Sequence, residues 1–143
     1  MVKSFLTKQQ IKVLQLRAKG MKQSEIAEIL GTSRANVSIL EHRALEKIEK
    51  ARNTLLIWEQ ITAKVSVSVK KGEDVFEIPE KLFKKADEAG VKVPYSTAEV
   101  IAFLVEKAPL MDRVAKRDFI LFLDSKDRLH VGECLVEDQT PSG

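Results

Sequence analysis

The sequence predicts an α+β protein: an all-helical N-terminal half containing a helix-turn-helix and a long third helix, followed by a small C-terminal α/β half. Apolar residues recur at helical spacing up to about residue 63, and a strand-like alternation begins at residue 64. The charge changes sign at the same place, because residues 1–64 carry 12 Lys and Arg against 6 Asp and Glu, whereas residues 65–143 carry 12 against 15. We therefore expect only the first half to meet a polyanion.

The length of 143 residues allows two small domains. We expect a domain with a linker helix over 1–63, an α+β domain over 64–137 and a disordered tail over 138–143. No apolar run approaches the ~20 residues of a membrane span, and the first residues lack a secretory signal, so we expect a cytoplasmic protein without a membrane partner. One cysteine, Cys134, and two histidines exclude a tetrahedral Cys/His zinc site within one chain. No metal or cofactor is expected.

Two short helices open the chain. The first is expected to begin at Thr7, which with Gln10 has the spacing of a capping box, and to be closed by Gly20. The second covers residues 23–30 and is closed by Gly31. Four of its apolar side chains are expected to face inward: Ile26, Ala27, Ile29 and Leu30.

A long third helix is expected to start at Arg34, with Ser33 as its cap. Its apolar positions have a heptad-like spacing: Val37, Leu40, Ala44, Ile48, Ala51, Leu55 and Trp58. The stretch from Leu55 to Trp58 is apolar all round and must be covered, for which a homodimer through this region is one solution. Asn53-Thr54 either breaks the helix or lies within it, and the sequence leaves both alternatives open.

The C-terminal half is expected to contain two hairpins, about four strands, and two helices. One hairpin pairs residues 65–69 with residues 75–78, and the other pairs residues 119–123 with residues 129–136. Between them, one helix runs from Pro79 to Gly90. The other starts at a capping box formed by Ser96 and Glu99 and stops before Pro109.

The 20 residues from Gln23 to His42 have the spacing of a helix-turn-helix. Ala27 is small where the helices cross, and Gly31 suits a turn that needs a positive φ. Four apolar residues are placed where the two helices must touch: Ile26, Leu30, Val37 and Leu40. Six matches at fixed spacing predict a motif that lays its second helix in the major groove of DNA.

The exposed side of that second helix carries side chains suited to reading bases. Arg bonds guanine bidentately, Asn bonds adenine, Ser is adaptable, and small apolar groups meet the thymine methyl. The candidate base-contacting residues are Arg34, Ala35, Asn36, Ser38 and Ile39. The candidate phosphate-contacting residues are Lys22, Gln23, Ser24, Ser33, His42, Arg43 and Lys47. Lys22 stands where a helix cap should be, and either a phosphate or water could satisfy the free N–H groups there.

Segment Thr32–Ile48 resembles region 4 of bacterial sigma factors and LuxR-type domains. Further segments resemble the Tfx family of archaeal DNA-binding proteins, and the last of them lies outside the helix-turn-helix: Thr7–Gln10, Gly20–Ala27, Arg34–Ser38 and Val93–Ser96. This resemblance implies an N-terminal helix-turn-helix and a C-terminal α/β domain. The sigma-type pattern implies base contacts from Arg34, Ala35, Ser38 and Ile39. Two of these residues are weaker base readers than the Glu and Gln that sigma factors often carry there, so the resemblance does not imply a −35-like target.

The sequence thus favours a sequence-specific regulator of transcription that binds double-stranded DNA, with the transcription machinery as a further partner. The alternatives are a helical adaptor that binds protein, and a ligand-sensing module whose C-terminal domain carries the main activity. An enzyme is not expected. His130 and Cys134 lie ~13 Å apart on one strand, too far for a catalytic dyad, and Cys134 is expected to be a buried small hydrophobe.

Overall fold

A computed structural model describes residues 2–136 of the chain. Its internal contacts divide the chain into two compact units, Met1–Thr54 and Leu55–Gly143, each of which is described by itself. The α+β class is confirmed. The domain boundary at residue 64 stays a prediction, and the expected tail over 138–143 lies outside the described residues. Within residues 2–136, no helix has the length and hydropathy of a membrane span.

Unit 1 is built from α1 (Lys8–Ala18), α2 (Gln23–Leu30) and most of α3 (Arg34–Ile61). The capping box of Thr7 and Gln10 is present, Gly31 closes α2 with a φ of 66°, and Ser33 caps α3. The three helices share one small apolar core: Val13, Leu16, Ile26, Ala27 and Val37.

The expectation that Ile29 faces inward is wrong, because its side chain is 56% exposed. At about 100° per residue, Ile29 lies roughly 110° away from the middle of the face formed by Ile26, Ala27 and Leu30. Three apolar residues already fill that face, and the fourth is left in solvent.

α3 continues without a break through Asn53 and Thr54 for 28 residues. The Thr54 hydroxyl donates a hydrogen bond of 2.7 Å to the carbonyl of Lys50, four residues earlier. This bond satisfies the hydroxyl within the helix, so Thr54 does not compete with the helical backbone. Of the two alternatives left open by the sequence, the continuous helix is the one observed.

Unit 2 contains a three-stranded antiparallel sheet and a two-stranded ribbon. Its elements are β1 (Val65–Val69), α4 (Ile78–Glu88), α5 (Thr97–Lys107), β2 (Leu110–Met111), β3 (Val114–Ala115), β4 (Phe119–Leu123) and β5 (Leu129–Gly132). The sheet has the order β1–β4–β5, in which Val65 pairs with Leu123 and Phe122 pairs with His130. The two helices α4 and α5 separate β1 from the remaining strands along the chain.

The main core of unit 2 lies on one face of this sheet. Alternate residues of β1 and β4 cluster there with buried residues of α4 and α5, among them Ile78, Leu82, Val100 and Leu104. Residues that alternate with these point to the opposite face. On that opposite face Phe122 is fully buried and stacks on His130, with ring centroids 5.1 Å apart.

The prediction of a hairpin between residues 65–69 and 75–78 is wrong. Residues Val75–Glu77 form a short 3-10 helix, whose first turn Asp74 caps by accepting a hydrogen bond of 2.9 Å from the N–H of Phe76. The N–H of Val75 donates instead to the carbonyl of Arg113. β1 finds its partner in β4, about fifty residues later, a pairing that local periodicity cannot reveal.

The second expected hairpin is present, but its last strand ends earlier than predicted. β5 stops at Gly132 rather than Val136, so Cys134 lies beyond the strand and is exposed, not buried as expected. The ribbon of β2 and β3 was not foreseen, since two-residue strands leave no periodic pattern. The capping box of Ser96 and Glu99 is confirmed.

Gly31→Ala should destabilise unit 1 by about 1–2 kcal/mol, because an L-residue is strained at the positive φ of the α2–α3 turn. A Cβ at this position would meet no atom within 4 Å, so backbone strain is the whole expected cost. Denaturant unfolding would measure it. Gly31→Asn is the matched variant and should lose much less, since Asn tolerates this region. Equal losses in both variants would contradict the argument.

Candidate nucleic-acid interface

The turn between α2 and α3 is held by polar side chains that also orient the start of α3. The Ser33 hydroxyl accepts a hydrogen bond of 3.1 Å from the N–H of Asn36. The amide of Asn36 donates to the hydroxyl of Thr32 at 3.0 Å. The first turn of α3 contains no acidic residue, so nothing there repels an approaching phosphate.

All five candidate base-contacting residues lie on the exposed surface of the first two turns of α3: Arg34, Ala35, Asn36, Ser38 and Ile39. The opposite side of the helix carries Val37 and Ala44, both fully buried. At about 100° per residue, Ala35 and Ile39 point away from the core, while Arg34 and Asn36 flank them on the two sides. The structure therefore brings the five side chains together on one exposed surface.

Glu41 joins the three helices of unit 1. Its carboxylate accepts hydrogen bonds from Arg17 Nε of α1 at 3.0 Å and from Gln23 Nε2 of α2 at 2.9 Å. The bond from Gln23 is the main reason why the pKa of Glu41 falls below its ordinary value of 4.5; burial opposes this fall, and the bond and charge of Arg17 add to it. The Gln23 side chain is thus occupied within the protein.

The seven candidate phosphate-contacting residues fall into two groups. Lys22, Ser24, Ser33, His42 and Arg43 are exposed, with His42 paired to Glu46 at 2.8 Å. Gln23 and Lys47 are half-buried. Lys47 Nζ donates to the carbonyl of Phe5 at 2.9 Å and to Gln10 Oε1 at 2.8 Å, so a phosphate contact would have to replace these bonds.

The start of α2 shows the departure noted in the sequence. Lys22 occupies the N-cap position in extended conformation, and no side chain caps the helix there. The first N–H groups of a helix have no partner within the helix. They and the Lys22 ammonium together offer hydrogen-bond donors and positive charge to an anion.

Two open depressions between α1 and α3 bring three basic residues not predicted from the sequence, Lys8, Lys12 and Lys50, near candidates that were predicted. One, of about 440 Å³, is lined by Lys8, Lys12 and Asn36 among others. The other, of about 460 Å³, is lined by Arg43, Lys47 and Lys50 among others. Lys8 and Lys12 are one helical turn apart, and this spacing is the signal that could have placed them on a common basic face.

Unit 2 contains a group of metal-binding side chains that the sequence analysis also missed. Each of three residues offers one ligand atom, and these atoms lie within 4.8 Å of one another: Glu59, Asp124 and His130. Asp124 and His130 are six positions apart, whereas Glu59 lies more than sixty residues earlier, and the three match no ligand-spacing motif. Only the pairing of β4 with β5 and the packing of the end of α3 bring them together.

Comparison with known proteins assigns both parts of the chain. Residues 5–50 match the family model described as sigma-70, region 4, and residues 51–131 match the model of the C-terminal part of the DNA-binding protein Tfx. The chain belongs to the Tfx family. The resemblance noted in the sequence is therefore confirmed. This is a family of DNA-binding transcription regulators and not an enzyme class.

Individual relatives agree with this assignment. A protein of Thermococcus kodakarensis, named as a candidate transcriptional regulator, is 81% identical over 137 residues, which cover 96% of this chain and 91% of the relative. A similarly named protein of Pyrococcus furiosus is 75% identical over 138 residues, covering 96% and 97%. The DNA-binding protein Tfx of Methanothermobacter thermautotrophicus is 36% identical over 119 residues, covering 82% and 86%.

Glu41→Gln should destabilise unit 1 by roughly 1–2 kcal/mol near neutral pH, because charge-assisted hydrogen bonds to Arg17 and Gln23 are weakened. A lowered pKa means that the carboxylate stabilises the folded state fully above about pH 4.5. This stabilisation disappears as the pH falls through the lower pKa of the folded state. Denaturant unfolding of both proteins at several pH values should therefore show a difference that shrinks on acidification.

Glu28→Gln, which changes an exposed carboxylate of α2, serves as the control and should cost little at any pH. A Glu41→Gln cost that stays the same from neutral pH to well below pH 4 would contradict the role assigned to the Glu41 charge.

Proposed function

We propose that this Tfx-family chain is a sequence-specific regulator of transcription that reads the major groove of double-stranded DNA with the first two turns of α3. One observation carries the proposal. Arg34, Ala35, Asn36, Ser38 and Ile39 are all exposed on a helix whose opposite side is locked into the core of unit 1. A helix presented in this way can enter the major groove, with α1 and α2 as its support.

The chemistry of this surface fits base reading. Arg34 can bond guanine bidentately, and Ser38 can bond several base edges. Ala35 and Ile39 supply the apolar contact that distinguishes a thymine methyl. Asn36 can read adenine if its amide exchanges the present bond to Thr32 for a base. A mixture of long, short, polar and apolar side chains supports sequence discrimination rather than general attraction to DNA.

Phosphate contacts would fix the register of this helix on the duplex. Lys22, Ser24 and the free N–H groups at the start of α2 are proposed to hold one phosphate. Ser33, His42 and Arg43 are exposed on α3 or its cap and are proposed to contact others. Gln23 is proposed to contact a phosphate through its backbone N–H, because its side chain is bound to Glu41. Lys47 is proposed to contact a phosphate by exchanging its hydrogen bond to Gln10 for one to the phosphate.

We further propose that two copies of the chain associate through the apolar end of α3. Leu55, Trp58 and Ile61 are each more than half exposed, and spacings of three residues place them within about 120° of one another around the helix. The heptad-like seam that leads into this surface is typical of helix pairing, and a helix-turn-helix protein gains a second half-site from a dimer.

The regulator is proposed to act in the cytoplasm, where it meets DNA and the transcription machinery, and to act by binding rather than catalysis. The alternatives, an adaptor that binds protein and a sensor dominated by its C-terminal domain, receive less support. The first turn of α3 carries Arg34 and Asn36 and no acidic residue, which favours a polyanion as its partner.

Arg34→Ala and Lys22→Ala should weaken DNA binding in different ways. Loss of Arg34 removes a base reader, so it should cost about 1–3 kcal/mol and relax preference at one base pair. Loss of Lys22 removes a phosphate contact, so it should weaken binding to all sequences alike and reduce the salt slope by about 1 from an expected value near −4 to −5 for ~5 phosphates. Binding to selected genomic fragments at several salt concentrations would measure both effects.

Lys84→Ala, a change at an exposed lysine of α4 in the acidic half, is the control and should leave the affinity and its salt slope unchanged. The proposal would be overturned if the chain retained no genomic fragment at low salt.

Trp58→Glu should dissociate the proposed dimer, because loss of a buried interface tryptophan costs about 2 kcal/mol or more, which is near 30-fold in affinity. Sedimentation of both proteins at micromolar concentration would measure this, with Val105→Glu on the exposed side of α5 as the control. A wild-type chain that sediments as a monomer with and without DNA would refute the dimer and leave the DNA-binding proposal standing.

A further inference from the structure

Three side chains with metal-binding atoms converge on the face of the β1–β4–β5 sheet opposite α4 and α5. His130 Nε2 lies 2.7 Å from Asp124 Oδ2 and 3.7 Å from Glu59 Oε2. Glu59 comes from the last turns of α3, Asp124 follows β4, and His130 lies on β5. None of the three takes part in the base or phosphate contacts proposed above.

The distances between these atoms are close to those between the ligand atoms around a four-coordinate ion. Tetrahedral ligands about 2.1 Å from zinc lie about 3.4 Å from one another. The two distances from His130 Nε2 lie on either side of that value, and each would change by less than about 1 Å. The ligand oxygens of Glu59 and Asp124 lie within 4.8 Å of each other, so they would have to move closer together to bind one ion. Glu59 is half-buried, so its side chain has room to make this movement.

The local structure already orients Asp124 toward the cluster. Its Oδ1 atom accepts hydrogen bonds from the N–H groups of Lys126 at 2.8 Å and Arg128 at 3.0 Å, which leaves Oδ2 facing His130. Asp124 is also buried. A buried carboxylate that is fixed through one oxygen and presents the other to an imidazole is a prepared ligand for a cation.

Neighbouring residues also limit the movement of His130 and of the segment of α3 that carries Glu59. The His130 ring stacks on fully buried Phe122. Gly132 leaves space for α3, because a Cβ at that position would overlap the side-chain amide of Gln60. The Gln60 amide in turn donates a hydrogen bond of 2.9 Å to the carbonyl of Glu133, which ties the residue next to Glu59 to the end of β5. Arg128 approaches Asp124 Oδ2 at 3.4 Å, but its side chain is 59% exposed and can move aside.

We propose that Glu59, Asp124 and His130 bind one divalent transition-metal ion of the zinc type, with a fourth position open to water or to an external ligand. One imidazole and two carboxylates suit zinc, cobalt or nickel, whereas calcium and magnesium take sets of oxygen ligands. The ion would join the end of α3 to both strands of the β4–β5 hairpin. The His130 ring would then carry its proton on Nδ1, because Nε2 would be occupied by the ion.

The test is titration of the full chain with Zn²⁺ by calorimetry and with Co²⁺ by visible absorption, which reports the coordination number. The expected result is one ion per chain and a four- or five-coordinate Co²⁺ spectrum. Glu59→Gln and His130→Gln should each weaken binding at least tenfold, since even partners outside the ligand shell change metal affinity by about 10–100-fold. The amide of His130→Gln can still donate to Asp124, so the fold should survive, as circular dichroism would show.

Glu49→Gln, an exposed carboxylate of the same helix, is the control and should bind as the wild type does. The second histidine provides a competing location, because His42 and Glu46 form an exposed pair one turn apart. Binding that is lost in His42→Gln and kept in His130→Gln would overturn the proposal. So would a full chain that binds neither ion, in which case Asp124 and His130 form a structural hydrogen bond only. Neither result would affect the proposed reading of DNA by α3.

Discussion

The rotation of α3 about its own axis is the constraint on which the proposed function depends. Val37 is fully buried in the core shared by α1, α2 and α3, and Ala44, two turns further on, is also fully buried. A shift of one residue would rotate the helix by about 100°, burying Ser38 and exposing Val37 to water. Burying a hydroxyl without a partner while losing a buried valine would cost several kcal/mol. The apolar side of the helix therefore determines which side chains can meet DNA.

A partly exposed network of hydrogen bonds around Glu41 refines this arrangement. Glu41 accepts hydrogen bonds from both supporting helices, so the angle between α2 and α3 is held by a carboxylate as well as by apolar packing. The arrangement withdraws the Gln23 side chain from the surface, as Lys47 is withdrawn by Phe5 and Gln10. Polar residues that look free in the sequence thus serve the support of α3, and the exposed residues around them are left for the ligand.

The last turns of α3 pack against the sheet of unit 2, whereas the first turns belong to unit 1. Within unit 2, Gln60 and Glu59 contact β5, on the sheet face that α4 and α5 leave uncovered. Gly132 permits this approach because any side chain there would meet Gln60. The same helix therefore carries the proposed base-reading residues and part of the proposed metal site, while Leu55, Trp58 and Ile61 remain exposed.

Local patterns determined most of unit 1. The capping box of Thr7, the positive φ of Gly31 and the cap by Ser33 are short-range effects, and contacts within one or two turns decide them. The surface from Arg34 to Ile39 follows from the same periodicity. Short-range patterns do not show whether an apolar residue such as Ile29 lies in the core or in solvent. Ile29 is exposed because its neighbours on α2 already fill the core face.

The sequence by itself determined the helix-turn-helix, the two capping boxes, the C-terminal hairpin and the family, because each is encoded in residues a few positions apart. Only the tertiary structure decided the partner of β1, the continuity of α3, the internal roles of Gln23 and Lys47, and the meeting of Glu59 with Asp124 and His130. Apart from the continuity of α3, these features depend on contacts between residues up to about seventy positions apart. Such contacts are selected by the packing of whole elements, which no local spacing records.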